Sequence, residues 1–146
     1  MKPTQKIRRV QLKINQTDDS AMIGIVSAEP DYKLSLALNK KLKISLKSAH
    51  PVTITEGSGP AMTFSRFTDS EASHSLMYDL VSNRQGKNFL LRKLKNIDYI
   101  FRIYNPDNEA DPGKIILSLR NTDCVTAVFN LDPESVKDKN LRYIIQ

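Results

Sequence analysis

The chain contains no tryptophan, one cysteine and two histidines, and each shortage removes a class of function. A lone thiol, Cys124, excludes an internal disulfide and any zinc site built on several cysteines. His50 and His74 fall in predicted loops, and no histidine pair has the spacing of metal ligands. Apolar runs are all far shorter than the ~20 residues that cross a bilayer. The opening MKPTQKIRRVQLKI has charge but neither the apolar stretch nor the small-residue cleavage site of a signal peptide. The expectation is a cytoplasmic protein with no membrane partner and no cofactor.

Acidic residues are also unevenly scarce. None occurs from Tyr32 to Thr55, a stretch that holds Lys33, Lys40, Lys41, Lys43 and Lys47. Residues 1–102 carry 17 Lys/Arg against 9 Asp/Glu, whereas residues 103–146 carry 5 against 7. The excess at the basic end is enough to attract polyanions at low salt, and it equally suits a solvated face that keeps the chain apart from its copies.

What is present is ordinary globular material, 40% apolar and 26% charged over 146 residues. That length suits one domain with its own core, and no repeat, low-complexity tract or linker divides it. In KIRRVQLKI, Val10, Leu12 and Ile14 alternate as on a strand, before QTDDSAM interrupts the pattern. A helix is expected over roughly 29–42, capped by Ser27, with Pro30 in its first turn and Leu34, Ala37, Leu38 and Leu42 facing the core.

The chain then turns β-rich. PVTIT (51–55), AMTFSRF (61–67) and SLMYDLV (75–81) read as short strands, separated by the turn EGSGP and the polar loop TDSEASH. NRQG (83–86) closes this meander, and IDYIFRIY (97–104) has the branched and aromatic density of a central strand. KIILSLRN continues as a helix behind Asp111 and Pro112, CVTAVFNL as a strand, and DPESVKDKN as a short helix with Asp132 as cap and Pro133 first. LRYIIQ should dock on the body. The order predicts an α+β domain spanning 1–146. Its single mixed, mainly antiparallel sheet should hold a β-meander and a C-terminal β-α-β unit, with two main helices packed on it.

Two blocks carry a family likeness. The run Leu91-Arg92-Lys93-Leu94-Lys95-Asn96-Ile97-Asp98-Tyr99, together with IGIVSAEPDYKLSLALN upstream, resembles the signature regions of the bacterial IPExxxVDY family. Arg92 and Lys93 stand where that family has Pro and Glu. The resemblance implies one domain and no assigned activity, and it transfers no catalytic residue. The loss of the acid favours a structural role for the motif, with Leu91 and Leu94 anchoring a loop. Asp98 would then accept backbone N–H bonds where the loop turns into a strand carrying Ile97 and Tyr99 on one face.

No residue set points to catalysis. Cys124 beside Asp123 sits where a thiol pKa is raised, not lowered. Ser70, Ser73 and Ser75 around His74 lack a paired acid, and Asp107, Glu109 and Asp111 lack the glycine and final glutamate of a calcium loop. TEGSGP precedes a strand instead of opening a helix, so it does not cradle phosphate. Three readings follow. One is a non-enzymatic module acting through an unidentified protein partner, with a homodimer as the simplest form. The second is nucleic-acid or other polyanion binding through Arg84, Lys87, Arg92, Lys93 and Lys95, which is not favoured because the few aromatic rings are needed for a core. The third is a small-ligand-binding regulatory domain, suggested by architecture alone.

Overall fold

A computed structural model describes residues 20–70 and 76–145. The strand expected at KIRRVQLKI and most of the TDSEASH loop, His74 included, lie outside the described residues. The first described element is one the periodicity did not announce. Strand β1, Ser20–Val26, is buried at four successive positions, Met22 to Ile25. Burial on both faces erases the alternation by which strands are usually read. Helix α1 covers Asp31–Leu42. Strands β2 (Lys47–Ile54), β3 (Met62–Asp69) and β4 (Met77–Ser82) form the meander. A small hairpin, β5 (Arg84–Gln85) and β6 (Asn88–Phe89), turns at Gly86, whose φ of 58° suits glycine. There the sequence had suggested only a closing turn. Then come β7 (Tyr99–Tyr104), α2 (Pro112–Arg120), β8 (Ala127–Leu131), and the short helices α3 (Pro133–Val136) and α4 (Arg142–Ile145).

The six long strands form one sheet in the order β2-β3-β4-β7-β1-β8. Every neighbouring pair in it is antiparallel. Strands β7 and β8, joined through α2, both run antiparallel to β1 and therefore parallel to each other, with β1 between them. This is the expected α+β architecture, and β7 is the central strand that its composition suggested.

Each face of the sheet carries its own core. On one side Ile23, Ile25, Tyr78, Leu80, Phe101 and Ile103 meet Leu34 and Leu38 of α1 and Leu119 of α2. Fully burying Leu34 and Leu38 contributes roughly 1.5–3 kcal/mol each. On the other side Met22, Phe64, Val81 and Ile100 meet Leu90, Leu91 and Ile97 of the loop before β7, and Val136 and Ile144 of the C-terminal segment. The LRYIIQ tail thus docks, through the fully buried Ile144.

Local chemistry sets the helix ends, with one correction. Ser27 does not cap α1: the N-cap is Pro30, which makes no side-chain cap bond. The Ser27 hydroxyl instead donates to the Cys124 carbonyl at 2.7 Å and accepts from the Glu29 N–H. At the other end Lys43 adopts φ 58°, and Asn39 reaches across to bond both Leu46 N–H (2.7 Å) and Leu46 C=O (3.1 Å). Asp111 and Asp132 do cap α2 and α3, each followed by proline.

Candidate functional site

The loop before β7 is organised by Asn83, a residue with no role in the sequence reading. Asn83, fully buried at the end of β4, donates through Nδ2 to the carbonyls of Leu94 and Ile97, both at 2.9 Å. Its Oδ1 accepts the Leu91 N–H at 2.7 Å. Its backbone donates to Asp98 C=O and accepts from Leu90 N–H. A single amide thereby closes the loop from 84 to 98 on itself and satisfies polar groups that water cannot reach. Asn140 adds a bond from Nδ2 to Leu90 C=O at 2.8 Å. The only cue in the sequence was an asparagine where a strand gives way to a turn.

With the loop closed this way, Leu91 and Ile97 are buried and Leu94 is half-buried. Ile97 and Tyr99 do not share a face, contrary to expectation. Ile97 packs in the core beside the loop and Tyr99 in the core beneath the helices. The reason is that Ile97 precedes the strand, where strict alternation does not yet hold. Ile97 instead lies against Gly24 of β1: a Cβ at that glycine would come within 2.9 Å of Ile97 Cδ1. Ile100 and Phe101, within the strand, do fall on opposite faces, both fully buried.

Asp98 marks one end of the sheet. Its Oδ2 accepts the Ser27 N–H at 3.0 Å, and its Oδ1 pairs with the Arg84 guanidinium. The N–H it holds belongs to the end of β1, not to its own loop. Beside it, the Tyr99 hydroxyl donates to Glu29 C=O at 2.5 Å. Burial, helped by the negative charges of Asp31 and Asp98, pushes the Tyr99 pKa up to about 12. These groups, with Ser82 and Thr126, line an open cleft of about 450 Å³. Its chemistry is closed: the tyrosine proton is held by a carbonyl, the aspartate by an N–H and a guanidinium, and the Ser82 hydroxyl by Ser65 at 2.7 Å. None of these pairs is a nucleophile with a free base.

Of the five basic residues considered for polyanions, three already have partners, each a different one. Arg84 pairs with Asp98 and lies over the Phe89 ring, 5.4 Å from its centroid. Arg92 binds Glu56 at 2.6 Å, and this bond is the main cause holding the Glu56 carboxyl below its ordinary pKa. The Lys93 ammonium donates to Lys137 C=O at 2.7 Å, while Lys87 and Lys95 are exposed. Arg92 and Lys93 thus stitch the loop to the turn after β2 and to the C-terminal segment.

The remaining candidates are dispersed. Cys124 is half-buried just before β8, and burial raises its thiol pKa. His50 lies on exposed β2. Asp111 serves α2 as its cap. Among the described residues no group of His, Cys, Asp or Glu is placed to hold a metal ion, and no helix is long and apolar enough to cross a membrane.

The two edges of the sheet differ sharply. β2 carries Lys47, exposed His50 and Pro51, and its pairing with β3 shifts register between Ala49 and Val52. Charge, proline and a bulge are the devices that keep an edge from pairing with another chain. β8, Ala127-Val128-Phe129-Asn130-Leu131, has none of them. Among the described residues it pairs with β1 alone, and Phe129 is 43% exposed. No family model, curated protein or solved structure matches this chain.

Proposed function

We propose that the protein is a non-enzymatic assembly module that pairs with a second copy of itself through the β8 edge. The observation that carries this reading is the contrast, among the described residues, between a guarded edge at β2 and an unguarded one at β8. A two-fold axis through Phe129 would set β8 antiparallel to its copy and extend the sheet across both chains. The strand contains no charged residue, so such pairing opposes no like charges, and it covers an exposed aromatic ring. The IPExxxVDY-like motif enters as the scaffold: its Asn83-organised loop fixes the face of the sheet that the edge prolongs.

Cross-linking tests the geometry. With Cys124→Ser to remove the native thiol, Phe129→Cys places a cysteine opposite its own copy, within disulfide reach in this register. Mild oxidation is expected to give a covalent dimer. Leu36→Cys in the same background, on the outer face of α1 and 63% exposed, should not. Equal cross-linking at both positions, or none at 129, contradicts the proposal.

A further inference from the structure

At the opposite edge of the sheet, a second cleft of about 530 Å³ is lined by residues of β2, β3 and β4. Arg66 lines it. Among the described residues no carboxylate lies within ion-pair distance of this guanidinium; its one bond runs from Nη2 to Tyr143 C=O at 3.3 Å, and its buried Nε has no acceptor. Arg102, the partner of Asp79, is 7% exposed and its Nε is likewise buried without a partner.

The cleft's two carboxylates are already engaged. Asp79 accepts the Thr68 hydroxyl at 2.6 Å and pairs with Arg102 at 3.4 Å, and Asp69 accepts the Ser45 N–H at 2.9 Å. Lys47 and His50 stand at the exposed rim.

A half-buried guanidinium that makes no ion pair is unfavourable unless an anion completes it. Guanidinium, ammonium, imidazole and hydroxyl groups lining one hollow are the set that holds a tetrahedral oxyanion. We infer that this cleft binds a phosphate group, free or as the monoester of a small molecule, on Arg66, Lys47 and His50. This site is independent of the β8 edge, and either can fail without the other.

Calorimetric titration in a phosphate-free, low-salt buffer tests it, with inorganic phosphate and glycerol 3-phosphate as probes. At least one should bind saturably, the tighter of the two showing whether free phosphate or an ester is preferred. Arg66→Gln should weaken that binding by roughly tenfold or more, as loss of a charged donor does, with an unchanged circular dichroism spectrum. If Arg66→Gln fails to fold, the rim pair Lys47→Gln with His50→Gln decides by the same loss of affinity. Absence of saturable binding by both probes overturns the inference. So does undiminished binding in the folded variant.

Discussion

The carboxylate of Asp98 holds the backbone N–H of Ser27 at 3.0 Å, joining the start of β7 to the end of β1 across 71 residues of chain. The same carboxylate pairs with Arg84, so its removal leaves a part-buried N–H and a guanidinium without their acceptor. Asp98→Ala is expected to destabilise the fold by roughly 1–3 kcal/mol, measured by urea denaturation. Arg84→Gln, which breaks only the half-exposed ion pair, should cost less, about 1 kcal/mol at most. Equal losses for the two would place the weight on the ion pair and not on the strand junction.

Asn83 should be the more sensitive position. Its side chain makes three bonds to loop backbone in a fully buried place. Asn83→Leu fills similar volume but strands two carbonyls and one N–H, so the expected loss is roughly 3 kcal/mol or more. Hydrogen exchange gives a local check. The Leu91 amide should lose protection in the variant well before the amides of β1 do.

Tyr99 predicts a dependence on alkaline pH. Its folded pKa is raised from 10.0 to about 12, so the fold favours the neutral phenol. The corresponding stability is present below pH 10 and is lost as pH rises through about 12, where the phenolate forms in the folded chain too. Tyr99→Phe removes the bond to Glu29 C=O and should be less stable than wild type by about 1 kcal/mol at neutral pH. The gap should close between pH 10 and 12. Tyr78, whose pKa is also raised by burial, will leave a residual alkaline decline in both proteins. A gap that stays constant to pH 12 contradicts this account of Tyr99.

Much of the fold was legible because its periodicities are local. α1, the meander strands, β7 and the capped starts of α2 and α3 each announce themselves through spacing, turn residues or Asp-Pro pairs. β1 did not. It is central, buried on both faces and interrupted by Gly24, whose presence is explained only by Ile97 lying against it. That contact joins residues 73 positions apart, beyond the reach of any window. Asn83 was illegible for the same reason: an asparagine after a strand reads as a turn, and only the closed loop shows that its amide is the hub. The basic residues 84, 87, 92, 93 and 95 are close in sequence, and sequence alone does not show their partners. Arg84, Arg92 and Lys93 engage Asp98, Glu56 and the Lys137 carbonyl, the last two far off in the chain. That Arg66 has no ion pair among the described residues could not be seen either, since a lone arginine in a strand says nothing about the carboxylates that its neighbours will engage.

The pairing of β8 with its own copy is decided most directly by sedimentation velocity over a concentration series reaching tens of micromolar. Wild type and Phe129→Lys should be run side by side. The variant places a charge at the centre of the edge, the device that β2 already has, at a position exposed enough to accept it without unfolding. The account predicts a dimer for the wild type and a folded monomer, with an unchanged circular dichroism spectrum, for Phe129→Lys. A wild type that stays monomeric throughout, or a variant that dimerises as strongly as the wild type, would contradict it.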